Sequence, residues 1–165
     1  MTLDQTALRD LLQADAERRA RSPHRPVAAE AQEPPGWAEL RFNLVNTFPR
    51  LARGAFAALR ETLAPFGYTV SPLHPGMDLV RPRMQTELAR VTERDGPLFA
   101  PLVFELERGS NNVRVFVRQF GGRAVPDFVE RRIQLGASID LGELEAMLRD
   151  YVACMIRPLN ARAAA

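Results

Sequence analysis

Few residues of this chain are of a type and spacing that could do chemistry. The two histidines, His24 and His74, stand in proline-rich stretches, SPHRP and PLHPG. Neither has the HxxxH or HExxH spacing that sets two metal-binding imidazoles on one helical face. Both therefore read as exposed loop histidines. The single cysteine, Cys154, falls beside Val152, Met155 and Ile156 in an apolar helical pattern. A reactive thiolate needs nearby positive charge or a helix N-terminus, and the end of the helix that Cys154 occupies has the opposite dipole sign. A buried, inert thiol is expected. One cysteine excludes an internal disulfide and a cysteine-rich zinc site, and a reducing, cytoplasmic setting is the default.

Glu105 and Glu107 share a strand face, with Asp127 placed nearby. Paired carboxylates can hold a divalent ion or share a proton, but arginines across the strands make ion pairing the expected use. Gly121-Gly122-Arg123 reads as a turn, because no helix follows it to cradle a phosphate. All 22 basic residues are arginine. The absence of lysine excludes a P-loop lysine, a Schiff-base lysine and the usual catalytic triplet of restriction-type nucleases. The codon preference of a GC-rich genome explains it most simply. No catalytic residue, metal ligand or cofactor site is assigned, and the chain reads as a non-enzyme.

The remaining chemistry is that of recognition. Asn112 to Phe120 alternates Val113, Val115 and Val117 with Arg114, Phe116, Arg118 and Phe120. As a strand, one face is purely apolar and the other pairs arginine with phenylalanine. Hairpin turns centred on Ser110-Asn111 and Gly121-Gly122 extend that second face. They place Glu107 opposite Arg114, Glu105 opposite Phe116, Val103 opposite Arg118 and Phe120 opposite Arg123, with Val125 and Asp127 further along. The face is too apolar to be purely solvated and too charged for a second core. It suits a covering helix, a protein interface, where arginine and aromatics are enriched, or stacking of single-stranded bases. Interleaved carboxylates weaken the positive field that the last would need.

Several elements must position this face. Thr2 to Arg21 reads as an amphipathic arm helix, 1–21, with Thr2 and Gln5 in capping-box spacing and a short stripe of Leu3, Ala7, Leu8, Leu11 and Leu12. It either folds back on its own domain or docks on another subunit. A proline-rich linker follows, 22–36, and then a single compact domain, 37–158. Trp37, Leu40, Leu44, Phe48, Leu51, Ala55, Leu59 and Leu63 recur at the helical period, with a kink or break expected at Pro49 and an end at Pro65 and Gly67. Residues 80–94 fit either a helix (Met84, Leu88, Val91) or a strand (Met84, Thr86, Leu88). Asp95-Gly96, a hairpin signal, favours the strand. Phe99 to Arg108 and Asn112 to Phe120 are strands. Ala124 to Leu135 is a fourth, with Pro126 at an edge or bulge, although DFVERRI could form a short helix. Asp140 and Glu143 start a last helix, whose face runs through Leu144, Met147, Leu148, Tyr151 and Val152. Pro158 ends it before a disordered tail, 159–165.

The expected fold is α+β: a three- to four-stranded antiparallel meander packed in two layers with a long N-terminal helix and a C-terminal helix. The order of elements resembles that of small chaperone- or adaptor-type domains such as secretion chaperones. The net charge of +2 is not that of a protein coating duplex DNA. The pI near 9.3 reflects arginine's very high pKa rather than excess charge. No apolar run reaches the length of a membrane span, and the N-terminus lacks a secretory pattern. The expected function is a homodimeric adaptor or chaperone-like module that binds a protein partner. It would use Arg114, Phe116, Arg118, Phe120 and Arg123 together with the arm leucines. The alternative is a single-stranded nucleic-acid accessory protein using the same strand face, with Arg131 and Arg132 adjoining.

Overall fold

The structure, a computed structural model, describes residues 13, 14, 17, 34–76, 81–91, 99–118 and 128–163, with side chains to 161. The chain divides into two units, 1–33 and 34–165. In the first, Gln13, Ala14 and Glu17 are helical. Leu3, Leu8, Leu11, Leu12 and the linker from 22 to 33 lie outside the described residues.

The second unit opens with α1, Trp37–Phe42, which passes through a π-helical turn, Asn43–Thr47, into α2, Phe48–Leu63. The helical period read from the sequence holds, but Pro49 does not break the helix. A proline has no N–H and its ring crowds the carbonyl four residues back. The turn just before it is wider than an α-turn: the Phe48 N–H bonds the Asn43 carbonyl, five residues back. That widening makes room for the ring. Side chains close the opened turn, with Asn46 Nδ2 donating to the Phe42 carbonyl at 3.1 Å and Thr47 Oγ1 donating to Asn43 Oδ1 at 3.1 Å. Thr47 is itself helical and makes no side-chain cap. A short 3₁₀ turn, Ala64–Phe66, leads to Gly67 in the left-handed region at φ 75, the glycine stop expected there.

Among the described residues, two antiparallel sheets replace the single meander of three or four strands. The larger has five strands: β2 (His74–Pro75), β3 (Arg83–Thr86), β5 (Leu102–Leu106), β6 (Asn112–Val117) and β7 (Arg131–Gln134), in the order β2-β3-β5-β6-β7. The smaller pairs β1, Tyr68–Val70, with β4, Leu88–Arg90. Of the ambiguous 80–94 segment, the described residues 81–91 hold strand and no helix, as preferred, but the strand divides at Glu87, so β3 joins the large sheet and β4 the small one. Ser71 and Thr86 hold that division. The Thr86 hydroxyl donates to the Ser71 carbonyl at 2.7 Å, the Glu87 N–H donates to Ser71 Oγ at 3.0 Å, and the Ser71 N–H donates to the Glu87 carbonyl at 2.9 Å. Of the expected fourth strand, only Arg131–Gln134 is strand among the described residues, and it is not helix. The Asp95-Gly96 and Gly121-Gly122 turns and Pro126 lie outside the described residues.

The last helix, α3, spans Leu141–Ala163. The Glu143 N–H donates to Asp140 Oδ1 at 3.0 Å, the expected cap. The helix continues through Pro158, so residues 159 to 163, expected as a disordered tail, are helical. A proline so near a helix end removes one bond without ending it.

One core joins these elements. Leu44, Phe48, Ala52 and Phe56 from the first helices meet Phe104, Leu106, Val113 and Val115 from the sheet and Leu144, Met147, Leu148 and Tyr151 from α3. The Phe48 and Phe104 rings lie 5.1 Å apart, which ties α2 to the central strand. Among the described residues, no helix is long and apolar enough to cross a membrane.

Candidate functional site

The face of the large sheet opposite this core carries the Arg/Phe pattern. Its alternation is as read from the sequence, but the hairpin register is not. Glu105 lies opposite Arg114 and Val103 opposite Phe116, in place of Glu107 with Arg114, Glu105 with Phe116 and Val103 with Arg118. The turn is centred on Gly109 and Ser110: Ser110 N–H bonds the Glu107 carbonyl at 3.3 Å, and Gly109 sits at φ 78. A glycine takes the positive-φ position that a turn of this kind requires, so the turn forms around Gly109 instead of Ser110-Asn111. The slip is two residues, which preserves the face of every side chain and changes only its neighbours.

Two rows cross the sheet on this face. One runs Arg83, Glu105, Arg114, Arg132 over strands β3, β5, β6 and β7; the other runs His74, Gln85, Val103, Phe116 over β2, β3, β5 and β6. Glu105 is only 4% exposed and Val103 1%, so the centre of the face is enclosed. A buried carboxylate must be paired. Glu105 takes Arg83 Nε on one oxygen and Arg81 Nη1 at 3.4 Å on the other. The Arg114 guanidinium stacks 4.4 Å from the centre of the Phe116 ring, a cation–π contact. Its Nε lies 3.4 Å from Glu130 Oε1 but is buried without a hydrogen bond. Arg132 bonds Glu107 through Nε at 2.7 Å and lies 3.9 Å from Glu130. The Glu107 hydrogen bond and charge raise Arg132 above its ordinary pKa. Arg114 and Arg132 face each other as like charges, and Glu130 lies within reach of both.

Of the five expected contact residues, Arg114 and Phe116 share this site and both are partly exposed. Arg118 follows β6, is exposed, and its N–H bonds the Pro101 carbonyl at 2.9 Å. Phe120 and Arg123, with Val125 and Asp127, lie outside the described residues. Sequence reading placed Arg132 beside the face, as found, and missed Arg83, Gln85, His74 and Glu130 as its members. The signal for β3 was present in the alternation of Arg83 and Gln85 with Met84 and Thr86.

His74 is not a loop histidine. It sits in β2 with both ring nitrogens engaged, Nδ1 at 3.1 Å from the Pro72 carbonyl and Nε2 at 3.0 Å from Gln85 Nε2. Cys154 is buried on α3, as expected. Tyr151 is buried, and its hydroxyl donates to the Ala100 carbonyl at 2.7 Å while accepting the Leu88 N–H at 3.1 Å. Burial raises its phenol well above the ordinary value. This is structural chemistry. Among the described residues, no group of three or more His, Cys, Asp or Glu could hold a metal ion. A groove of about 600 Å³ between α1 and the loops at Asn111 and Gly136 has, among the described residues, Glu39 as its one charged lining residue.

Compared with known proteins, the chain matches no family model, no curated protein and no solved structure.

Proposed function

We propose that this chain is a non-enzymatic protein-interaction module, a homodimeric adaptor or chaperone-like domain. It binds a protein partner through the Arg/Phe face of its large sheet and its N-terminal arm. The observation that carries this reading is the Arg114–Phe116 stack. It combines arginine, a residue type enriched at interface hot spots, with phenylalanine, enriched in interfaces generally, on the sheet face away from the core, with the arginine already held in place over the ring. Preordering lowers the entropy lost when a partner docks. Single-stranded nucleic acid is the alternative, since Phe116 could stack a base. It ranks second because Glu105, Glu107 and Glu130 neutralise Arg83, Arg132 and Arg114 along the same path.

Affinity capture compares the wild-type chain with Arg114→Ala/Phe116→Ala, both checked for native circular dichroism. A specific protein bound by the wild type and lost in the double variant supports the module. Identical captures from both defeat the role of this face. Salt-sensitive binding of a labelled single strand that is lost in Phe116→Ala transfers the function to nucleic acid.

A further inference from the structure

The five-stranded sheet ends at β7, and among the described residues no strand pairs with its outer edge. The Leu135 N–H donates to the Asn111 carbonyl at 2.8 Å. Antiparallel alternation then turns the backbone groups of Arg131 and Ile133 toward β6 and those of Arg132 and Gln134 outward. Side chains sort in the same way. Glu130 and Arg132 belong to the Arg/Phe side, through their ion pairs with Arg114 and Glu107. Arg131 and Val129 face α3, where Arg131 bonds Asp150 at 2.5 Å and Val129 lines a small cleft with Ala153 and Cys154. Val129 is 71% exposed, unusually open for an aliphatic side chain beside a core. A groove of about 570 Å³ lies between β7 and the start of α3, with Ile133, Ile139 and Leu144 in its lining and Asp140 and Glu143 beside them.

We infer that this edge pairs with the same edge of a second copy of the chain, antiparallel about a two-fold axis at Arg131, joining two five-stranded sheets into one. Outward-facing residues must meet outward-facing residues, which leaves few registers. Centring the axis on Arg132 sets that arginine against its own copy. Centring it on Ile133 gives Arg132 only Gln134. Centring it on Arg131 sets Glu130 of one copy opposite Arg132 of the other, twice, and Val129 opposite Ile133, twice. Only this register forms two Glu–Arg pairs and two aliphatic pairs; Arg131 meets its own copy at the axis, where each guanidinium is held by the Asp150 of its own chain. It carries Val129 to the mouth of the groove at Ile133. Edge strands commonly use cations to prevent such pairing, but these are neutralised within their own chain. Arg131 is held by Asp150 and Arg132 by Glu107 and Glu130. The inference rests on the homodimeric part of the reading above and makes no use of the Phe116 ring.

The test is a charge exchange read by light scattering and sedimentation of the full chain. The wild type is expected at twice 18.5 kDa. Glu130→Arg alone and Arg132→Glu alone each turn both cross-copy pairs into like charges, and each should weaken association roughly tenfold or more. Mixing the two variants restores opposite charges at both positions, so a mixed dimer should form where neither variant dimerises alone. Val129→Asp, on the other face, should also weaken the dimer. Phe116→Ala alone should leave the mass unchanged, which separates this edge from the partner-binding face. A wild type that stays monomeric at its highest soluble concentration overturns the inference. So does a dimer indifferent to all three edge variants, or two natively folded charge variants that do not associate on mixing.

Discussion

Two buried polar groups, Glu105 and Tyr151, show at the residue scale how strongly this fold depends on satisfied partners. Glu105 lies on the sheet face away from the core yet is only 4% exposed, with Arg83 as its most buried counter-charge. Replacing Arg83 by Met removes that cation and leaves the carboxylate with Arg81, whose side chain is 61% exposed. The expected loss is about 3 kcal/mol in denaturant unfolding, whereas Arg83→Met/Glu105→Leu should lie close to wild type. Tyr151→Phe leaves the buried Leu88 N–H and the Ala100 carbonyl without the shared hydroxyl, a loss of about 1–3 kcal/mol. It should also change the alkaline limb. The Tyr151 phenol is raised in the native state, so the unfolded chain releases its proton first, near pH ~10. Stability from this group is complete below that pH and falls as pH climbs toward the native value. Unfolding curves between neutral pH and about pH 11 should therefore slope less steeply in Tyr151→Phe.

The elements show where local pattern was sufficient and where it was not. The alternation of β6 and the periodicity of α2 and α3 were legible, because each buries one face and the hydrophobic spacing records it; β5 alternates in type but is buried on both faces. The hairpin register was not. Asn111 and Gly109 are both turn residues, and which one occupied the positive-φ position was settled only by the pairing of Glu105 with Arg114. Gly109 has open space around the position of an added Cβ, so Gly109→Ala should cost about 1 kcal/mol through backbone strain alone. A shift of the denaturation midpoint with an unchanged slope would show it. The π-helical turn also left a trace in the sequence. Leu40, Leu44, Phe48, Ala52 and Phe56 are spaced by four, and each such step overshoots a full α-helical turn by about 40°. A wider turn absorbs that excess and keeps the stripe on the core. Proline alone suggested a break, because propensity arguments see the missing donor and not the stripe that a break would misalign.

For the whole molecule, the α+β class was readable from the order of strand and helix patterns, while the division into two sheets was not. Nothing local to 83–90 announces that one extended run serves both sheets. The division depends on Ser71, fifteen residues from Thr86, and on Tyr151, sixty-three from Leu88. The site was legible in composition, since Arg114 and Phe116 stand where expected, and only partly legible in membership, since Arg83 reaches it through a strand far off in sequence. Phe104 makes the core's dependence on long-range packing testable. It is wholly buried against Phe48, and Phe104→Ala should cost about 3–5 kcal/mol, a large part of the stability of a domain this size, read as a lowered melting temperature.

The bend at Glu87 has a consequence for how the molecule comes apart. Two sheets that share one stretch of backbone, clasped by a tyrosine from the last helix, cannot melt one after the other. Backbone amides in the little two-stranded ribbon, short as it is, should exchange with deuterium as slowly as those in the centre of the large sheet. Once Tyr151 loses its hydroxyl, the ribbon should open first.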